Sequence, residues 1–284
     1  MPKIMLSSQA SRLFCGSYAV VAASLLLVLR TTPAAEPEAV QMPVLVMPEP
    51  ISDDDSGFAT LFDGKTLQGW EGDPTYWRVE NNSIIGETTR QTAPKENNSF
   101  LIWRGGRPAD FELKLQYRIT REGNSGINYR SEELSLPRWA MRGYQYDIDG
   151  PDWGKSALSA NLKVPAALTA LLHFRVTGQN YEERGRQFLA LPGQFTSIAP
   201  GKTQHIVGYV GNGEQVDEIA TDGWNDVHII ARGPLLIHIL NRRVTSVVID
   251  DDAKNRQLEG KLGVQIHVGP PMKVEFRNIR LKKL

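Results

Sequence analysis

The chain has 284 residues, with 32 basic side chains against 32 acidic ones and a single cysteine, Cys15. The absence of a basic excess or a basic stripe argues against nucleic acid as a partner. Cys15 lies inside a segment expected to be removed, which excludes disulfides and thiolate chemistry from the mature protein.

Lys3 and Arg12 precede an apolar run from Leu13 to Leu29, and Arg30-Thr-Thr-Pro-Ala-Ala35 follows it. This is the three-part pattern of a secretory signal peptide over residues 1–35, with the cut after Ala34 or Ala35. The alternative is a single anchor, for which a run of roughly 17 apolar residues is at the short limit. The expected location is the periplasm or exterior of a bacterial cell, with no stable membrane span after cleavage. Residues 36–56, rich in proline and acid, read as a flexible linker. Residues 57–284 suffice for one large all-β domain.

Phe58 to Trp70 contains a short strand, an Asp63-Gly64 turn and a tight connection. Tyr76–Glu80 and Ser83–Glu87 flank Asn81-Asn82 as a hairpin, and Ser99–Trp103 is a further strand. Phe111, Leu113, Leu115, Tyr117 and Ile119 alternate with polar residues, giving a strand with one buried and one wet face. After a turn at Arg121–Asn124, the next strand sets Asn124, Gly126, Asn128 and Arg130 on one side and Ile127 and Tyr129 on the other. Amides, a glycine and a guanidinium in a row suggest a polar binding floor. Gly143–Asp149 repeats the pattern with Gln145, Asp147 and Asp149. Residues 157–176 have helical composition divided by Pro165. Tyr181, Glu182, Glu183 and Arg184 fall in a polar loop, and Glu214–Thr221 allows one or two helical turns. From Trp224 onward the β rhythm returns. Val274 and Phe276 are out of phase with Ile279 and Leu281, which predicts a bulge near Arg277-Asn278.

Several of these segments, in order, resemble the 3-keto-disaccharide hydrolase domain family. They are the stretch Phe58–Trp70, Asp110-Phe-Glu-Leu, Gly123–Ser131, Gly143-Tyr-Gln-Tyr-Asp-Ile, Gly223-Trp-Asn, Gly263-Val-Gln-Ile-His and Phe276-Arg-Asn-Ile-Arg. The resemblance covers nearly all of 57–284. It implies a two-sheet concanavalin A-like jelly-roll sandwich, here with a short helical insertion, that is exported and binds or acts on carbohydrate. It further implies cleavage of 3-keto-glycosides. Two departures stand out. Family members commonly carry Glu where this chain has Gln145, and Gln where it has Asp147. Residues 155–176 match nothing in the family pattern.

A 3-keto group acidifies the C2 proton, so a base can remove it while the C1 oxygen leaves, and water can then add back. Such a site needs a base, a donor for the enolate oxygen and an acid for the leaving group, but no activated serine. His267 is the first candidate base, because Val264 and Ile266 face the core while Gln265 and His267 face the other way. Asp147 and Asp149 lie about 7 Å apart on one strand face; Asp147 is assigned to function and Asp149 to a turn. Asp147 with His267 would also be the ligands of a divalent metal ion, should one be used. Arg130 could hold the enolate. Asn124, Asn128, Gln145, Tyr181, Glu183 and Gln265 complete the expected substrate contacts. Trp139, Trp153 and Tyr144 could stack on sugar rings, whereas Trp70, Trp77 and Trp224 are assigned to the core. The rival readings are a lectin-like carbohydrate-binding module without turnover and a conventional glycoside hydrolase. The latter is disfavoured because Gln145-Tyr-Asp-Ile-Asp149 lacks the Glu-x-Asp-x-Glu pattern of laminarinase-like enzymes.

Overall fold

The computed structural model describes residues 54–154, 175–211 and 215–284. The signal peptide, most of the linker and the helical insertion lie outside the described residues. Two sheets share one apolar core. Across the larger sheet the strands run His205–Tyr209, Gln194–Ile198, Arg243–Asp250, Leu235–Leu240, Asn225–Arg232, Phe111–Ile119, Lys273–Lys283, Ser83–Glu87 and Trp77–Glu80. The short strand Ala59–Thr60 pairs separately with Lys273–Lys283. The smaller sheet runs Gln187–Ala190, Asn180–Glu183, Met141–Asp149, Asn124–Glu133, Lys261–Ile266, Ser99–Trp103 and Trp70–Glu71. This is the all-β, two-sheet jelly-roll architecture expected from the sequence.

Side-chain alternation dictates how the sheets meet. Phe111, Leu113, Leu115 and Tyr117 are buried from the larger sheet, and Ile127, Tyr129, Tyr144, Tyr146, Ile148, Val264 and Ile266 from the smaller. Each such side chain contributes roughly 1.5–3 kcal/mol on full burial, so the two periodic stripes suffice to hold the sheets together. The Asn81-Asn82 turn has positive φ at both residues (49° and 58°), the twist that a two-residue hairpin needs. The register of the last strand slips between Arg277 and Arg280, with Asn278 at φ 54°, as the phase change predicted. Val216–Ile219 forms a single helical turn.

Residues just before Gly57 pack on the domain: Lys114 Nζ donates to the Asp54 carbonyl at 2.7 Å, and Arg280 pairs with Asp55 at 2.5 Å. Two details correct the sequence reading. Trp224 is not in the core. It is partly exposed, with Arg277 3.8 Å and Arg118 5.0 Å from its ring centroid. Residues 180–183 are a strand rather than a loop, and they continue the smaller sheet.

The strand Asn124–Glu133 of that sheet also breaks phase. Tyr129 pairs with Tyr144 and Glu132 with Arg142, so Arg130 and Ser131 together oppose Gly143. Arg130 adopts φ 44°, the left-handed conformation of a bulge residue. The extra residue turns Arg130 off the polar face and puts Ser131 there in its place, accepting a hydrogen bond from Asn128 Nδ2 at 3.2 Å. Gly143 is needed opposite, because a Cβ there would lie 2.4 Å from Ser131 Oγ. The buried Arg130 guanidinium donates to the carbonyls of Ala109 (2.8 Å) and Gly233 (2.7 Å) and to Asp110 Oδ1 (2.9 Å). Arg130 is therefore a staple between loops, not a substrate contact. Arg130→Ala should lower the free energy of unfolding by about 2–4 kcal/mol in urea titration, since it strands several buried acceptors. The sugar affinity of the folded variant should stay unchanged.

Candidate active site

The face of the smaller sheet turned away from the core carries the polar residues. Strand register places them in rungs. Gln145 lies opposite Asn128 and Tyr181; Asp147 lies opposite Gly126; Asp149 lies opposite Asn124. Gly263 pairs with Asn128 and Val264 with Ile127, which sets Gln265 beside Gly126. On the same face, Phe100, Ile102 and Met141 form a second, smaller apolar cluster against which Trp139 packs. The floor is thus polar at one side and apolar at the other.

A ribbon of amides crosses the polar side. Gln265 Nε2 donates to Gln145 Oε1 at 2.9 Å, Gln145 Nε2 donates to one oxygen of Asp147, and Gln179 Nε2 donates to the other. Gly126 permits this arrangement, because a Cβ there would lie 2.5 Å from the Gln145 amide carbon. All four ribbon side chains are buried. Burial raises the Asp147 carboxyl to about 7; the two amide hydrogen bonds oppose the rise, and the charges of Glu183 and Asp149 add to it. Asp147 is therefore a group that gains and loses its proton near neutrality.

Glu183 and Tyr181 flank Asp147. Burial raises the Glu183 carboxyl, partly offset by Arg184 and by Asn98, whose Nδ2 donates to Glu183 Oε1 at 3.3 Å. Burial, with the charges of Glu183 and Asp147, pushes the Tyr181 phenol up to about 12, so it remains a neutral donor. His267 lies just beyond its strand, two residues from Gln265, with Trp153 edge-on at 6.0 Å. Its Nδ1 faces the Val268 carbonyl. A carbonyl only accepts, so Nδ1 carries the hydrogen and Nε2 keeps a lone pair. Burial holds the ring below its usual pKa, which keeps it neutral at pH 7.

Of the expected residues, the structure gathers Asp147, Gln145, Gln265, Asn128, Tyr181 and Glu183 on one face, places Asn124 at the rung of Asp149, and sets His267 one residue past the end of its strand. It does not bring Arg130 there. Asp149 is a structural anion, bound by Arg175 Nε at 3.0 Å and by the Thr177 amide at 2.9 Å. Tyr144 belongs to the core and donates to Asp250 at 2.5 Å. His238, expected to be structural, is buried and neutral, its pKa lowered to about 3; His173 lies outside the described residues. Gln179 and Asn98 were missed. Gln179 sits in a polar run without an apolar face, and Asn98 belongs to a loop that becomes part of the site only through tertiary contact.

Three buried carbonyl oxygens, Asn128 Oδ1, Gln179 Oε1 and Gln265 Oε1, lack a hydrogen-bond partner among the described residues. Each is fully buried, so these are polar groups left unpaired inside the floor and not acceptors open to a ligand. Nor does the floor fit a cation. Among the described residues no three His, Cys, Asp or Glu side chains converge, and N–H donors already face both Asp147 oxygens. Asp147 and His267 alone are not a ligand set.

Residues 57–282 match the family described as the 3-keto-alpha-glucoside-1,2-lyase-like domain. A curated 3-keto-disaccharide hydrolase from Bacteroides thetaiotaomicron is 29% identical over 107 residues, covering 36% of this chain and 34% of that protein. A solved structure from Parabacteroides distasonis, provisionally described as a glycosyl hydrolase, has a TM-score of 0.48 and 16% identity, covering 80% of this chain and 99% of that one. A carbohydrate binding module from Bacillus subtilis has a TM-score of 0.44 and 12% identity, covering 76% and 96%.

The Asp147 pKa has a measurable consequence for stability. Its folded value, about 7, lies above the ordinary 3.8, so the folded state binds the proton more tightly than the unfolded chain does. That contribution is fully present below the unfolded pKa and is lost as pH rises through the folded one. Its slope is about 1.4 kcal/mol per pH unit in between. Asp147→Asn should therefore gain stability relative to the parent between pH 4 and 7, and the difference should level off above. A flat difference across that window in denaturant melts would rule out a buried titrating carboxyl.

Proposed function

The chain belongs to the 3-keto-alpha-glucoside-1,2-lyase-like family, and on that premise we propose that it cleaves 3-keto-glycosides by proton abstraction at C2 and elimination at C1. The observation that carries the reading is Asp147: a buried carboxyl at the centre of the floor, fixed by two amide donors and poised to exchange a proton near pH 7. His267 Nε2 takes the C2 proton, and the electron pair moves into the C3 ketone to form an enolate. The Tyr181 hydroxyl donates to the enolate oxygen, the role that Arg130 is too far removed to fill. The enolate then collapses, C1=C2 forms, and the C1–O bond breaks as protonated Asp147 supplies the leaving oxygen with its hydrogen. Water adds at C1 and a proton returns to C2, giving net hydrolysis.

Two observations favour a second reading, a lectin-like module without turnover. Both Asp147 oxygens already accept amide hydrogens, and Gln145 stands where the family commonly has an acid. Turnover of a methyl 3-keto-α-glucoside separates the two. Asp147→Asn and His267→Ala should each lower kcat about 100-fold or more, and Tyr181→Phe about tenfold to 100-fold. A parent protein that binds the sugar and releases no methanol is a binding module. Export belongs to the same proposal and rests on the N-terminal pattern; mass spectrometry of the processed protein should find its first residue at Ala35 or Glu36.

A further inference from the structure

A cleft of roughly 690 Å³ lies beside the floor, and neither the ribbon nor His267 uses it. Its walls include Asp73, Tyr76, Asn97, Asn98, Arg138 and Trp139. Its position follows from two links. Trp139 packs on Phe100, Ile102 and Met141, the apolar half of the same sheet face, and Phe100 pairs directly with Gln265. Asn98 belongs to both places: it lines the cleft while its side chain binds Glu183 and the Val268 amide (3.0 Å). The cleft therefore borders the proposed reaction centre, with Asn98 as the shared wall.

Its chemistry is that of a sugar subsite. Two partly exposed aromatic rings stand among planar polar groups, so apolar C–H faces and hydroxyls can be met together. Trp139 holds φ 63°, a left-handed conformation unusual for a bulky side chain and one that persists only where its surroundings enforce it. Arg138 lies 4.5 Å from the Trp139 ring centroid and is exposed, so its guanidinium can exchange the ring face for sugar hydroxyls. Asp73 sits close enough to Tyr76 for its charge to add to the effect of burial in raising the phenol pKa. Tyr76 thus keeps its hydrogen and can donate it.

We infer that this cleft holds the second sugar ring of a disaccharide substrate, the ring that departs when the C1–O bond breaks. The inference rests on the reading of the floor as a 3-keto-glycoside site. It adds specificity for a disaccharide over a glycoside with a small leaving group. Trp139 is the platform, while Asn97 and Arg138 supply polar contacts.

The test compares 3-keto-maltose with methyl 3-keto-α-glucoside on the full chain and on Trp139→Ala and Trp139→Leu. The leucine variant keeps an apolar side chain on Phe100 and Met141, which separates loss of the platform from loss of packing. Both variants should raise KM for 3-keto-maltose about tenfold and leave kcat/KM for the methyl glycoside within about twofold. Equal losses on both substrates would assign Trp139 a purely structural role and overturn the subsite. If the parent cleaves neither substrate, the lyase reading fails by itself, and titration with maltose and methyl α-glucoside then decides the subsite. It stands if maltose binds the parent about tenfold tighter and Trp139→Leu removes that advantage. It falls if the two ligands bind alike.

Discussion

The bulge at Arg130 and Ser131 is the constraint on which the rest of this architecture depends. A strand that kept strict alternation would place the guanidinium on the polar floor and leave the sandwich without its staple. The added residue sends Arg130 to the carbonyls of Ala109 and Gly233. These flank the strand Phe111–Ile119 and the turn between Asn225–Arg232 and Leu235–Leu240, both in the opposite sheet. One side chain thereby ties the two sheets at one end. In the same step it takes a permanent positive charge off the polar face.

Burial sets the electrostatics of the floor. Asp147 has amides at both oxygens and carboxyls, not cations, as its charged neighbours. Burial wins over two hydrogen bonds because neutral amides stabilise the anion only modestly, whereas removal from water penalises it heavily. Elsewhere the chain neutralises buried acids with arginine: Asp149 by Arg175, and Asp250 and Glu182 by Arg186. Among the described buried acids, Asp147 has no ion-pair partner within 4 Å, which marks that position as different in kind from the structural acids around it.

The sheets were legible because apolar alternation is the direct imprint of burial on a strand. Phe111 to Ile119, the Asn81-Asn82 hairpin and the slip near Arg277 follow from that pattern. Where a strand buries polar residues on one face and few apolar ones on the other, the imprint fades. Gln179 to Glu183 reads as loop because its inward Asn180 meets Tyr129 through a hydrogen bond (3.0 Å), not through apolar contact. Arg130 was placed on the wrong face because a bulge changes phase without changing residue type. Trp224 was assigned to the core from its bulk alone, yet guanidinium planes satisfy its ring at the surface. The site was thus half visible: the strand-borne residues emerged from alternation, while Gln179 and Asn98 required the fold.

The exchange at positions 145 and 147 takes on meaning in that setting. Where the family pattern pairs an acid at the first position with an amide at the second, this chain has Gln145 and Asp147, an amide and an acid transposed. The inventory is the same, one proton carrier and one neutral donor side by side, and only the rung changes. Gln145 shares its rung with Asn128 and Tyr181; Asp147 lies one rung further, opposite Gly126. Two residues along a strand is about 7 Å, so on the proposed mechanism the transposition moves the acid one rung along the floor. Gln145 uses its carbonyl to accept from Gln265 and its amide to bind Asp147. Under that proposal, the departure from the family pattern relocates the acid without removing it.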